Sequence, residues 1–411
     1  MPSLSVRIDS IAAGGDGVGR TEGLVVFVPR TAPGDVVTAQ ISGRGHFARG
    51  TLRNIVTPSP VRIPPPCSHY TRDRCGGCQV QHMSYDAQLA AKQLIIRDSL
   101  QRIGKRSVDP PAIERSPQEW RYRTKLTLSM RRKGARWIAG LHPYDDPGAV
   151  FALADCPITD RRVVATWREV MSADAHFPEA KELRGSVRVA SGGATLVMSG
   201  GHGWPARDQF AAAVPSVSAL WWEPEGEGLR RKLYDRRVDR SPAASFAQVN
   251  PEVAAELRTF VVSRITSLTP RTVVDAYSGA GHTAIALASA GIAVTAIELD
   301  PDASAWADEQ LSPPSRAVHA RVEDALPGYL PADVVILNPP RAGLDVRVTE
   351  ILQAQSSTTR RLIYISCNPA TLARDVSRLP GFRIDSLRAF DMFPQTAHVE
   401  TVCELISEAS Q

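Results

Sequence analysis

The residues best suited to chemistry lie in the last third of the chain, where short apolar runs end in reactive side chains. Leu362-Ile363-Tyr364-Ile365 opens into Ser366-Cys367-Asn368-Pro369, and His398-Val399-Glu400-Thr401-Val402 brings a carboxylate close behind. A cysteine between a strand and a helix that starts near Pro369 is expected to have its thiolate favoured by oriented backbone N–H groups. Such a thiolate is a nucleophile, and a carboxylate beside it is a base that takes a proton from whatever the thiolate activates. Each residue alone has a bland reading, a core cysteine for Cys367 and a solvated strand charge for Glu400. Cys403 alternates with apolar neighbours and reads as core.

A second set describes a ligand site. Thr272-Val273-Val274-Asp275 leads into Ala276-Tyr277-Ser278-Gly279-Ala280-Gly281, and Thr283 to Ala290 reads as a helix. Strand, glycine turn and helix place backbone N–H groups at the carboxyl end of a sheet, where nucleotides bind. The turn is G-x-G and lacks the third glycine of a dinucleotide fingerprint. Asp275 at the strand end suits a cationic group. Glu298, after Ala293-Val294-Thr295-Ala296-Ile297, suits two ribose hydroxyls, and Asp324 suits an adenine amino group. With no phosphate-binding lysine, the set fits S-adenosylmethionine better than NAD.

Six cysteines are present. Cys67, Cys75 and Cys78 crowd one loop, and Cys156 follows in Asp155-Cys156-Pro157. Four thiolates of this kind suit zinc or an iron–sulfur cluster, and spacing does not choose between them. Free thiols are the bland alternative. A disulfide framework is excluded if the chain is cytoplasmic, as its composition and MPSLSVRIDS start, without a secretory pattern, lead one to expect.

The elements that must position these groups follow from length and patterning. A chain of 411 residues with 43% hydrophobic content implies two or three domains and has no apolar run of membrane-spanning length. Residues 1–58 carry short β-prone runs, Leu24–Val28 and Val36–Ile41, punctuated by glycines and Pro33-Gly34. That pattern predicts an OB-like barrel, with Arg44, His46, Arg49 and Arg53 turning it towards RNA. Pro58-Ser59-Pro60 and Pro64-Pro65-Pro66 stiffen the link to a mixed α+β central region, 59–243. A helix is predicted over 85–104 there, capped by Ser84, with Leu89, Leu94, Ile95 and Leu100 at helical spacing and Gly104 at its end. From 244 to 411 strands and helices alternate, the signature of a doubly wound α/β domain. A net charge of +5 and a pI near 9.0 suit a polyanionic partner.

The sequence resembles the RNA 5-methyluridine methyltransferases, in particular the iron–sulfur members with an N-terminal TRAM domain. The likeness runs along nearly the whole chain. It rests on Gly17-Val18-Gly19-Arg20, Phe27-Val28-Pro29 and Pro33-Gly34-Asp35, then on Cys75-Gly76-Gly77-Cys78-Gln79 with Gln81-His82 and Trp120-Arg121-Tyr122-Arg123 with Lys125. Ser245-Phe246-Ala247-Gln248-Val249-Asn250, Ser366-Cys367-Asn368-Pro369-Ala370-Thr371-Leu372-Ala373-Arg374-Asp375 and His398-Val399-Glu400-Thr401 complete it, the last two being the most specific.

That resemblance implies a class I Rossmann-like methyltransferase domain behind a TRAM barrel, acting on RNA, rRNA before tRNA. It implies Cys367 as nucleophile and Glu400 as base. Gln248, Asp275, Tyr277, Gly279, Gly281, Glu298, Asp324 and Asn338 would surround S-adenosylmethionine, and Arg341 would orient substrate or loop. Cys67, Cys75, Cys78 and Cys156 would hold a 4Fe-4S cluster in preference to zinc. Two departures stand out: the gap from Cys67 to Cys75 is longer than usual, and Asn338 replaces the usual Asp. An asparagine amide pairs with uracil in one orientation and with cytosine in the other, so 5-methylcytidine formation is the runner-up activity. Asn338-Pro339-Pro340 also resembles amino-group methyltransferases, but Arg341 stands where those place an aromatic ring. A metal-stapled RNA-binding protein without activity is the non-enzymatic alternative.

Overall fold

Five N-terminal strands close on themselves in the computed structural model, which describes residues 3–43, 47–134 and 136–409. Arg44 and His46, expected to help grip RNA, lie outside the described residues. The strands β1 (Ser3–Ile11), β2 (Gly17–Thr21), β3 (Leu24–Val28), β4 (Val36–Ser42) and β5 (Phe47–Thr57) form a closed barrel in the order β1-β2-β3-β5-β4. Alternation puts Val6, Ile8, Val26, Val28, Val37 and Ala39 inside, and closure leaves no open edge. Arg49 and Arg53 point outward from β5. The barrel is pinned to the linker by buried Asp35, which accepts from Arg62 Nη2 at 2.7 Å and from the Ser59 amide at 2.8 Å.

The predicted helix spans Tyr85–Arg102 and buries Leu89, Ile95, Ile96 and Leu100. Ser84 stands at its N-cap position, but its hydroxyl makes no capping bond. Backbone groups hold that end instead: the Ser84 amide donates to Val61 O, and Ser84 O accepts from the Gln88 amide. Gly104 lies just past the end, where a Cβ would come within 2.8 Å of Leu100 O. The short strand β6 (Ala112–Glu114) then leaves for the C-terminal sheet.

The central strands-and-loops region is one sheet. Its strands are β7 (Lys125–Lys133), β8 (Arg136–Leu141), β9 (Phe151–Ala152), β10 (Glu182–Ala190), β11 (Gly193–Ser199), β12 (Val217–Glu223) and β13 (Arg231–Asp235). They lie in the order β13-β12-β11-β10-β7-β8-β9, all antiparallel except β11 with β12. Helix Arg161–Ser172 lays Val163, Val164, Trp167 and Val170 onto this sheet. Gly185 makes room for Trp167: a Cβ there would meet the indole at 2.5 Å.

The α/β half is an eight-stranded sheet, β16-β15-β14-β17-β18-β20-β19-β6. Its strands are β14 (Thr272–Ala276), β15 (Ala293–Glu298), β16 (Arg316–His319), β17 (Val334–Leu337), β18 (Arg361–Ser366), β19 (Phe382–Phe390) and β20 (Glu400–Ser407). Strands β16 to β18 are parallel and β20 inserts antiparallel between β18 and β19. A parallel strand covered on both faces reads as an unbroken apolar run, as in Val334–Leu337, all buried. Three of its helices start alike, at Asn250-Pro251, Asp300-Pro301 and Asn368-Pro369. In each, the Asn or Asp side chain accepts a backbone N–H while proline fills a position whose N–H has no helical partner. The chain turns one way from β14 to β15 and the other way to β17. The crevice at that switch is where such sheets hold ligands.

Candidate active site and cysteine pocket

At the switch point, β14 delivers Asp275 to the sheet edge and the chain turns through Tyr277, Gly279 and Gly281 at positive φ (61°, 57° and 68°). Gly281 is required twice over, by its left-handed backbone and because a Cβ would sit 2.8 Å from Ala307 Cβ. At Gly279 a Cβ would meet nothing within 4 Å, so that face of the turn is open. Asp275 is buried, its Oδ2 has no partner, and burial pushes its carboxyl up to about 7. Tyr277 is half-buried, and burial raises its phenol as well.

Glu298 ends β15, as anticipated, but its carboxylate is already engaged. Oε2 accepts from the Gly279 amide at 2.8 Å and Oε1 from the Asp300 amide at 2.7 Å. It therefore shapes the turn and keeps one acceptor site free on each oxygen. Asp324 lies exposed at the rim and pairs with Arg347 Nη1 at 3.0 Å. Gln248 belongs to a segment that bridges the central sheet and this crevice. Arg188 donates to Ser245 O, the Thr124 amide donates to Val249 O, and Ser245 Oγ reaches Asp300 Oδ1 at 3.0 Å. Phe246 in the same segment is 71% exposed.

The reactive pair comes together through strand register. In the antiparallel β18–β20 pairing Ser366 faces Thr401, so the next step along each strand sets Cys367 against Glu400. Glu400 is buried, its Oε2 has no partner, and burial pushes its carboxyl up to about 7, with Arg341 acting the other way. A solvated strand charge is therefore ruled out. The expectation for Cys367 holds only in part. Burial, with Glu400 adding to it, raises the thiol above its ordinary value and outweighs Arg341 and the residue's own backbone N–H, which favour the thiolate. Two neighbouring amides are engaged elsewhere: Asn368 Oδ1 takes the Ala370 N–H and Ser366 Oγ takes the Asn368 N–H. Cys403 is in the core, as expected.

Arg341 sits on a loop clamped to the helix that follows Cys367. Asn338 N donates to Ala276 O at 3.2 Å, which seats the loop beside the cofactor-side strand. Arg374 donates to Ala342 O, and Asp375 accepts from the Leu344 amide at 2.8 Å and from Tyr364 at 2.7 Å. Gly343 has φ 81°, and a Cβ there would lie 2.5 Å from Asp375 Oδ2. His398 completes the surroundings: burial first, then the cations Arg341, Lys92 and Arg123, push its imidazole down to about 4.

The four cysteines expected to bind a metal group, Cys67, Cys75, Cys78 and Cys156, are all buried, free of disulfides, and line one cavity of about 240 Å³. Arg341, Phe393, Thr396 and His398 line the same cavity, and Arg341 also acts on both Cys367 and Glu400. His69 also lines it, but its ring is held by Asp73 on Nδ1 and by the Ala154 amide on Nε2. Arg30, from the barrel, donates to Cys75 O and stacks 3.3 Å over the Tyr70 ring. Among the described residues no group of three or more His, Cys, Asp or Glu side chains is arranged to hold a metal ion. No described helix is long and apolar enough to cross a membrane.

A TRAM-like barrel, a doubly wound sheet with a nucleotide-type glycine turn, and a cysteine facing a buried glutamate define an RNA-modifying enzyme of the methyltransferase class. The comparisons with known proteins agree. Residues 316–408 match the family described as tRNA (Uracil-5-)-methyltransferase, and residues 4–52 match the TRAM domain. An uncharacterized RNA methyltransferase of Thermosynechococcus vestitus is 32% identical, over 98% of this chain and 98% of its own. One of Protochlamydia amoebophila is 31% identical over 97% and 96%. The fold is that of the Pyrococcus abyssi tRNA (uracil-54, C5)-methyltransferase solved with S-adenosyl-L-homocysteine, with a TM-score of 0.69 at 23% identity, covering 98% of this chain and 99% of that one. The chain belongs to the RNA uracil-5-methyltransferase family and carries its TRAM domain.

Sequence reading named Asp375, Gln79 and Tyr122 within motifs but gave them no role, and it missed Arg30, Gln88 and Lys92. Lys92 left a trace, a lysine in register with the buried Leu89 and Ile96.

Proposed function

We propose that this enzyme forms 5-methyluridine in rRNA, moving a methyl group from S-adenosylmethionine to carbon 5 through a transient bond between Cys367 and carbon 6. The observation that carries the proposal is the opposition of Cys367 and buried Glu400, with Arg341 alongside. S-adenosylmethionine supplies an electrophilic methyl group. Asp275, with an unpartnered buried oxygen, suits its cationic part, and the open face at Gly279 leaves room for the nucleoside. Gln248, Tyr277, Gly281, Glu298, Asp324 and Asn338 complete the crevice.

The Cys367 thiolate adds to carbon 6 and the ring electrons move to carbon 5 and O4, giving an enolate nucleophilic at carbon 5. Arg341 offsets the negative charge of thiolate and carboxylate. Carbon 5 would take the methyl group as its bond to the sulfonium sulfur breaks and S-adenosylhomocysteine leaves, so that carbon 5 carries both a methyl group and a proton. Glu400 takes that proton, the double bond re-forms and the carbon–sulfur bond breaks, which returns the thiolate. A carboxyl held near neutrality by burial suits that exchange. The base must leave its stack to reach Cys367, with the TRAM barrel and the basic central sheet holding the flanking RNA.

Cys67, Cys75, Cys78 and Cys156 would hold a 4Fe-4S cluster. Four buried thiols lining one cavity suit a metal group of either kind, and the family resemblance favours the cluster over zinc. Iron, sulfide and zinc analysis of protein purified without oxygen tests the choice.

tRNA is the second substrate reading, favoured by the Pyrococcus protein with the same fold, which acts on tRNA by its description. Nucleoside mass spectrometry of rRNA and tRNA from a strain lacking the gene decides. Loss of 5-methyluridine from rRNA supports the proposal, and loss from tRNA moves the substrate. Loss of 5-methylcytidine would mean that Asn338 sets a different base, and unchanged nucleosides would overturn the activity.

A further inference from the structure

Residues 391–399 join β19 to β20 without helix or strand, yet every one except His398 is buried. An irregular buried segment must find a partner for each backbone polar group separately. Some are met locally, the Phe393 amide by Asp391 Oδ1 and the Thr396 amide by Phe393 O, and the partners that follow come from residues 79–122. Lys92 Nζ donates to Asp391 Oδ1 at 2.5 Å and to Phe393 O at 3.1 Å. Tyr122 donates its hydroxyl to Pro394 O at 3.0 Å, and the Val80 amide donates to Gln395 O at 3.2 Å. Gln88 grips Gln395 twice, Oε1 accepting from its amide and Nε2 donating to its side chain, both at 3.0 Å. Gln79 Oε1 accepts from the Ala397 amide at 3.3 Å.

We propose that residues 391–399 are a strap that positions Glu400 for proton removal, and that Gln88, Tyr122 and Gln79 are the positioning residues that set it. The inference rests on the reading of Glu400 as the base. Two features separate a positioning strap from mere filling. Gln395 is held at φ 70°, a strained backbone for a glutamine, by the paired bonds to Gln88 on both sides of its Cα. The strap also ends directly in Glu400, the first residue of β20, and its Phe393, Thr396 and His398 line the cysteine pocket. Gln79 and Val80 immediately follow Cys78, so the loop that presents the cysteines also holds the strap.

The mechanism makes a specific signature available. A misplaced Glu400 slows removal of the carbon 5 proton but leaves thiolate addition and methyl transfer intact, so the methylated RNA–protein adduct builds up. A variant that is only less stable yields less adduct.

The test uses full-length Gln88→Leu, Tyr122→Phe and Glu400→Gln with labelled S-adenosylmethionine and RNA from a strain lacking the gene, and reads kcat, KM and adduct on denaturing gels. Gln88→Leu should lower kcat roughly 10- to 100-fold, keep both KM values within about 2-fold, and accumulate adduct as Glu400→Gln does. Tyr122→Phe, which deletes one hydroxyl and keeps the ring, should show the same pattern more weakly, and it speaks for the strap should Gln88→Leu fail to fold. Wild-type kcat in both variants, or slow turnover without adduct, overturns the strap. A Glu400→Gln enzyme that builds no adduct overturns the base assignment, and the strap with it.

Discussion

Asp275 and Glu400 stand at the same edge of one sheet, each buried, each with one unpartnered oxygen and each pushed up to about 7 by burial. They are placed by opposite means. Asp275 is set by its own strand, by the glycine turn directly after it and by Glu298 one strand away, all within one strand–turn–helix–strand unit. Glu400 is set by the strap, whose partners lie up to 318 residues upstream in the chain. One end of the proposed active site is thus a property of a local motif, and the other depends on the assembly of two parts of the molecule. The local end should tolerate changes in the central region, whereas the assembled end should not.

The largest expected effect breaks the chemistry and leaves the local end alone. Cys367→Ala should reduce turnover by roughly 10⁴-fold or more, because no neighbouring group replaces the thiolate. Cofactor affinity measured by calorimetry should stay near wild type, since Asp275 and the glycine turn do not depend on Cys367. Substantial residual turnover would end the covalent reading.

Next comes the assembled end. Lys92 and Asp391 are 1% and 0% exposed, and Asp391 keeps one oxygen without a partner. Removing one member of a buried pair strands the other charge, so Lys92→Ala should cost about 3–5 kcal/mol in urea unfolding. The double change Lys92→Met with Asp391→Leu should restore most of that loss. Equal instability in single and double variants would mean that packing, not the pair, holds this end.

The same contrast explains what was legible in the sequence. The barrel, the glycine turn, Asp275 and the strand-end positions of Glu298 and Cys367 follow from patterns a few residues long, where strand period, turn glycines and Asn-Pro or Asp-Pro caps are written side by side. The opposition of Cys367 and Glu400 needed the antiparallel insertion of β20, which no local pattern carries. The Cys367 thiol is raised because burial and Glu400 outweigh the backbone N–H and Arg341 that favour the thiolate, a balance that a short sequence pattern does not carry. Lys92 interrupts a buried helix face and so announces a partner, but nothing near it in the chain says that the partner is Asp391.

A smaller effect tests the shared electrostatics. Glu400 and Asp275 both titrate higher in the folded protein than in an unfolded chain, so the native state binds more protons. The stability they lend is complete below about pH 4 and is lost as pH rises through about 7. In Glu400→Gln the amide does not titrate, so unfolding free energy should fall about 3 kcal/mol less than wild type between pH 5 and pH 8. Parallel pH profiles for the two proteins would show that Glu400 titrates at its ordinary value.

The smallest effect concerns the seam between the two ends, the helix that starts after Cys367. Asn368 caps it through Ala370 N at 3.1 Å and also reaches Arg341 O at 3.4 Å, so one side chain holds both the helix end and the loop that carries Arg341. Asn368→Ala should cost about 1 kcal/mol, the usual worth of such a cap. It should also return the Ala370 N–H to the neighbourhood of Cys367, where it would favour the thiolate. Alkylation of Cys367 at neutral pH, followed by peptide mass spectrometry, should therefore speed up modestly even as stability falls. A thiol that reacts no faster would mean that burial and Glu400 alone govern Cys367. Activation would then have to come from Arg341 and the incoming base, not from the helix.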